Sequence, residues 1–380
     1  MRTNSSPSTP VEISLRLSSE ARQVFMIRVI AGIVACLKVL AFAAPAASAV
    51  GESLDQLVAG GKREGEVTLI ASASTFGGKK GFSDLEAAFN KKYGLRVKVN
   101  LSPGPNMPQV ASRVLTELKA GIKSSTDLYL GSDSTFAALH KENALQKIPW
   151  SGIFPWVTKE MEITPQESLL VYASFHGIIY NSNSIPKDKA PKNYEDLIDP
   201  ALSPTWAGKL AIPAYTHWLV RVSSMWGKEK VLAYAKKLAT LAGGRLRQGE
   251  EERIVSGEFP IMASTGGALE SMWKWQAKGA PLVGLPGSMP PTSSYYQLGV
   301  PKNSAHPNLA KLFVAFMVSK EGQAIVEKHD YRSSYLVEGT GMSKYVRSNK
   351  LKLQDPKELV DLFLKDDWAL EEELNKILLR

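Results

Sequence analysis

From about residue 65 onward, short apolar runs alternate with stretches in which apolar residues recur every three or four positions. Residues 67–71 (VTLIA) have the length and content of a buried strand. A helix is expected from Ser83, which has capping-box spacing to Glu86; Leu85, Ala88 and Phe89 form its apolar face and Gly94 its left-handed stop. Residues 96–100 (RVKVN) read as a second strand and 102–106 as a loop. Val110, Val114 and Leu118 mark a second helix, 127–130 a third strand, and a further helix follows 131–134. This order predicts an α/β fold with a mainly parallel sheet covered by helices. Residues 172–181 (YASFHGIIYN) read as one extended segment interrupted at Gly177, leading to a turn-rich stretch with Pro186, Pro191, Pro200 and Pro204. A second series then begins: a strand at 209–213, helices over 218–226 and 229–241, a strand at 259–263, a helix through Trp273 and a strand at 282–285. Residues 284–292 form a return connection and 296–300 another strand. Leu309, Leu312, Phe313 and Phe316 give an amphipathic helix face, and Leu370, Leu374, Ile377 and Leu378 a closing helix.

Strands with this connectivity place ligands beyond their carboxyl ends. Ser72, Ser74 and Thr75 follow the first strand, and Ser132 and Asp133 the third, at one rim where helix starts favour polar or anionic groups. In the second series Tyr215, Thr216 and Arg221 follow one strand and Ser264 and Thr265 another. Ser264 and Thr265 suit either a helix cap or exposed donors for a ligand, and Arg221 either an anion or a surface ion pair. The Gly77–Gly81 stretch (GGKKG) suits a phosphate cradle or a solvated loop, since its spacing matches neither nucleotide motif. The five histidines are dispersed, with His217 nearest the expected cleft, and the run at 371–373 (EEE) reads as a solvated helix face. No GxSxG elbow, Walker A or GxGxxG sequence is present, so the expectation is a protein without catalytic residues, resident metal or cofactor.

The N-terminal region carries a different message. Residues 26–49 hold Arg28, an apolar stretch broken by Lys38, and Ala47-Ser48-Ala49, the small residues a signal peptidase reads. Residues 1–49 are therefore expected to be a signal peptide cleaved after Ala49, with Met26 an alternative start to Met1. Its uncharged runs fall short of the roughly 20 residues a membrane span needs. The single cysteine, Cys36, follows Ile33-Val34-Ala35 as in a lipoprotein box, so a lipid anchor at Cys36 is the alternative. The whole chain has a formal charge of +9; the leader holds five basic and two acidic residues, leaving 41 basic against 35 acidic. The basic residues are scattered in pairs rather than gathered in a stripe, which argues against a nucleic-acid partner.

Three long phrases add a resemblance: residues 177–213 (GIIYNSNSIPKDKAPKNYEDLIDPALSPTWAGKLAIP), 254–264 (IVSGEFPIMAS) and 299–325 (GVPKNSAHPNLAKLFVAFMVSKEGQAI). In these the chain resembles the family-1 extracellular solute-binding proteins of bacterial ABC importers, especially their ferric-ion-binding branch. The resemblance implies a periplasmic binding protein fold of the class II type, with two lobes, two crossover strands and a ligand cleft between them. It places lobe 1 at 50–184 and 287–380, lobe 2 at 185–286, and the crossovers near 180–184 and 287–295. It also implies a periplasmic monomer that delivers a small molecule to an ABC permease. Ferric members carry adjacent tyrosines shortly after the strand corresponding to 259–263, where this chain reads Ser264-Thr265-Gly266-Gly267-Ala268. A small polar or anionic solute is therefore expected. The alternatives are ferric iron held by Tyr295 and Tyr296, of which only one need face the cleft, and a secreted hydrolase or transferase on a similar fold.

Overall fold

His176 is the point at which one group of strands passes the chain to another. The computed structural model describes residues 52–247, 249–288, 292–364 and 368–379; the expected signal peptide, its cleavage site and Cys36 lie outside them. The strands among the described residues are β1 (Glu66–Ala71), β2 (Lys98–Pro103), β3 (Tyr129–Ser132), β4 (Ser168–Phe175), β5 (Gly177–Asn181), β6 (Leu210–Pro213), β7 (Ala242–Leu246), β8 (Ile261–Thr265), β9 (Leu282–Pro286) and β10 (Ser293–Gly299). β1 pairs with β2, and a bridge from Leu69 to Leu128 ties β1 to the residue before β3. β10 lies between β3 and β4, antiparallel to both. The second group is one sheet in the order β7-β6-β8-β5-β9.

The sheets are mixed rather than mainly parallel. Parallel pairing holds for β1–β2, β6–β7 and β6–β8, where helices return the chain to the same end. The strands next to the crossovers run antiparallel to their neighbours. The extended segment at 172–181 is two strands in two sheets, so the first crossover is His176 and the second lobe's sheet starts at Gly177 rather than after 184. The second crossover falls between β9 and β10. The His176 N–H donates to the Thr292 carbonyl at 2.9 Å and the Gly287 N–H to the His176 carbonyl at 3.1 Å, which fastens the two crossovers side by side.

Each group has its own core. Phe76, Phe89, Trp150 and Phe313 anchor the first; Trp206, Trp218, Tyr234 and Ile261 anchor the second. The Pro307–Met317 helix is buried on nearly every side, not on one face as its pattern suggested, because it packs on the Leu54–Glu64 helix while touching β1, β4 and β10. The helix expected from Ser83 starts at Gly78, so the glycine- and lysine-rich stretch is its first turns and not a phosphate loop. A Cβ at Gly81 would collide with the Phe76 carbonyl, which explains the small residue there. Glu86 accepts a hydrogen bond from the Val99 N–H at 2.8 Å instead of capping.

The chain's end belongs to both groups. The Pro356–Leu364 helix packs on the Asp133–Lys141 helix of the first. The Trp368–Leu378 helix lays Leu370, Leu374 and Leu378 into the second core, against the His217–Trp226 and Lys228–Leu241 helices. Assigning all of 287–380 to the first lobe therefore fails at this helix, whose apolar stripe is complementary to the second core.

Candidate functional site

A cavity of about 630 Å³ opens where the two groups face each other. The first group contributes residues that follow the carboxyl ends of its strands: Ser72 and Thr75 after β1, Asn106 and Met107 after β2, Ser132 and Ser134 around the end of β3. The second contributes Tyr215, His217 and Arg221 after β6 and Gly266 after β8. His176, Ser294 and Tyr296 come from the crossover region, and Phe363 and Glu371 from the two C-terminal helices.

Helix starts supply much of this wall. Asn106 caps its helix by accepting from the Gln109 N–H at 3.1 Å. Ser132 and Thr216 precede helices without capping them through their side chains. The Ser132 hydroxyl instead lies 3.0 Å from that of Ser134, which leaves a pair of hydroxyls facing the cavity.

Arg221 reaches the cavity from within the wall. Its Nη2 donates to Asp133 Oδ1 at 2.5 Å, and both side chains are almost wholly buried. The pair joins a first-group helix to a second-group helix. Burial pushes the Asp133 carboxyl up, and the Arg221 charge opposes that shift. Asp133 Oδ2 and Arg221 Nε make no hydrogen bond within the protein, so this buried ion pair keeps polar capacity in reserve. The Phe363 ring lies under the guanidinium at 4.9 Å.

The imidazoles act as neutral groups. His176 is driven well below its ordinary value by burial and then by the Arg221 charge; its Nε2 lies 2.7 Å from the Ser294 hydroxyl. His217, stacked on Tyr215 at 4.6 Å, is lowered to about 3 by burial and by Arg221. Tyr296 stacks on Tyr172 at 4.4 Å and 20°. Burial raises the phenols of Tyr215 and Tyr296 above their ordinary value. Ser294 and His176 form a serine–imidazole contact, but His176 Nδ1 has no partner within the protein, so a triad's orienting acid is missing. Among the described residues no group of three or more His, Cys, Asp or Glu side chains could hold a metal ion.

Of the residues singled out from sequence, Ser72, Thr75, Ser132, Tyr215, His217, Arg221 and Tyr296 line the cavity, and Asp133 stands behind Arg221. The others do not. Ser74 is solvent-exposed beside the Ser72 hydroxyl at 3.1 Å. The Thr216 hydroxyl donates to Asn375 Oδ1 at 2.7 Å. β8 runs two residues further than expected, so Ser264 and Thr265 are buried strand residues, with Ser264 3.3 Å from the Tyr194 hydroxyl. Strand alternation sends Tyr295 away from Tyr296, and its hydroxyl donates to the Gln354 carbonyl at 2.5 Å. Asn106, His176, Ser294, Phe363 and Glu371 were missed. Asn106 follows a strand's carboxyl end, the same signal that marked Ser72. Glu371 was read as solvated, because its place on a cavity-facing turn depends on where the last helix docks.

Residues 77–324 match the family profile of bacterial extracellular solute-binding proteins. No curated protein sequence matches the chain. Among solved structures, iron-bound HitA from Pseudomonas aeruginosa is similar at 18% identity and a TM-score of 0.62, over 81% of this chain and 99% of that one. Trichodesmium IdiA (FutA) in complex with iron and citrate is similar at 17% identity and 0.62, over 82% and 99%. AfuA from Actinobacillus pleuropneumoniae with fructose-6-phosphate is similar at 18% and 0.61, over 82% and 98%. At these identities the likeness establishes the two-lobed fold. The family match covers most of the chain, and with the interlobe cavity it leads to one conclusion: the chain belongs to the bacterial extracellular solute-binding proteins.

Proposed function

We propose that this chain is the solute-capturing component of a bacterial ABC importer, working as a periplasmic monomer that closes on a small polar or anionic solute and passes it to a membrane permease. The observation that carries the reading is the composition of the cavity wall. Both groups of strands, both sides of the crossover region and the C-terminal helices contribute to it, so a bound solute touches every moving part at once. Hydroxyls at helix starts, two neutral imidazoles and one guanidinium offer hydrogen bonds, while no complete catalytic triad is present among the described residues. Among them, no helix is long and apolar enough to cross a membrane.

A ferric reading draws on one specific feature. Tyr215 and Tyr296 both line the cavity, whereas Tyr295 does not. Phenolate is a hard ligand for ferric iron, but among the described residues no group of three or more His, Cys, Asp or Glu stands beside these two phenols to complete a metal site. The polar organic solute remains the better fit. Native mass spectrometry of protein purified without refolding tests the proposal. The expected result is a stoichiometric small-molecule adduct that is lost on unfolding. Turnover of an ester panel without such an adduct would favour the hydrolase.

A further inference from the structure

The cavity wall carries an apolar patch. Ile70, Met107, Val110 and Leu130 form it on the first-lobe side, where it adjoins the hydroxyls described above, and Phe363 extends it from the C-terminal helix. The second lobe and the crossover region contribute the polar groups Tyr215, His217, Arg221, His176 and Tyr296. Arg221 is the only cationic side chain among the described residues of the wall, and Asp133 already occupies part of its guanidinium. Glu371 adds a carboxyl to the wall.

We infer that the solute is an amphipathic monocarboxylate: an aryl- or alkyl-bearing acid whose body lies on the apolar wall and whose carboxylate meets Arg221. The inference rests on the solute-binding reading and narrows its chemistry. The size of the cavity supports it. About 630 Å³ is within the range of organic-ligand pockets, and a bare ion or inorganic phosphate would leave most of it unfilled. Charge supports it as well: with one arginine among the described residues of the wall, a single carboxylate finds a cationic partner and further negative charges do not. Arg221 Nε, buried and without a partner in the protein, provides the donor that a second carboxylate needs.

Titration calorimetry on the full chain, stripped of solute by unfolding and refolding, tests this with phenylacetate and hexanoate against inorganic phosphate, glucose 6-phosphate and ferric citrate. The carboxylates should bind with a negative heat-capacity change, the mark of apolar burial, and the hydrophilic series should bind more weakly or not at all. Met107→Gln, and separately Phe363→Ser, should weaken phenylacetate about tenfold through lost apolar contact. Two variants guard against one that fails to fold, which circular dichroism would report. Tighter binding in the hydrophilic series would overturn the monocarboxylate and leave the solute-binding reading intact. Silence in both series would count against both. Phenylacetate binding unchanged in both folded variants would place the ligand elsewhere and overturn the inference.

Discussion

Asp133 and Arg221 are two residues whose joint removal should matter less than the removal of either. Both are buried, so each needs the other to offset lost hydration. Arg221→Ala or Asp133→Ala is expected to cost about 3–5 kcal/mol of stability, whereas replacing both with apolar residues of similar volume should be near neutral. Urea unfolding of the three variants checks this; additive losses would contradict it. Glu270 offers a pH test. It accepts from the Ser174 hydroxyl at 2.5 Å, and burial, opposed by Arg332, raises it to about 7. A raised carboxyl favours the folded state while protonated. That stabilisation is present near the unfolded value and disappears as pH climbs through 7. Glu270→Gln should therefore gain about 3 kcal/mol relative to the parent between pH 4.5 and pH 8. A pH-independent difference would show that Glu270 is ionised throughout.

Among elements, β10 shows how much one strand's alternation decides. Adding ferric ion should produce no phenolate charge-transfer band. A band abolished by Tyr296→Phe and Tyr215→Phe but not by Tyr295→Phe would instead establish the ferric alternative, since only the first two line the cavity. The closing helix is a second case. Leu374 is fully buried in the second core, so Leu374→Ala should cost about 2–5 kcal/mol in chemical denaturation. The leucine spacing made this helix legible in the sequence, but not its docking partner, because an apolar stripe does not name the surface it meets. The same limit explains Ser264. Two more residues of strand turned an expected cleft hydroxyl into a core one, and no local signal separates β8's end from a helix cap. Conversely, β1 and the serines after it were legible because a short apolar run followed by small polar residues has few other solutions.

For the molecule as a whole, the number of links between the lobes sets the motion. The expected hinge lies at His176, whose backbone bonds to Gly287 and Thr292 hold the two crossovers together, and the two C-terminal helices pack on one group of strands each. A solute that moves the equilibrium from 1:99 to 99:1 closed needs roughly 5.5 kcal/mol of preference for the closed form. Small-angle scattering should show a smaller radius of gyration once a solute verified by calorimetry is added. An unchanged profile at saturation would mean that the lobes do not move. The two-lobed plan was legible from two alternating series and two connections. The boundary at His176 was not, because residues 172–181 keep an apolar strand pattern through the change of sheet.

The position of β10 has a further consequence, for the order in which the chain can fold. The five-stranded sheet draws only on residues 177–286, a continuous stretch that can close as soon as it is available. β3 and β4 have no such independence, since the strand between them comes from residues 293–299. A chain emerging N-terminus first can thus complete the sheet of its inserted lobe while the surrounding lobe still carries two unpaired strand edges. Those edges invite misassembly until β10 arrives. The long loop closure that brings β10 between β3 and β4 is the step expected to limit the rate of folding.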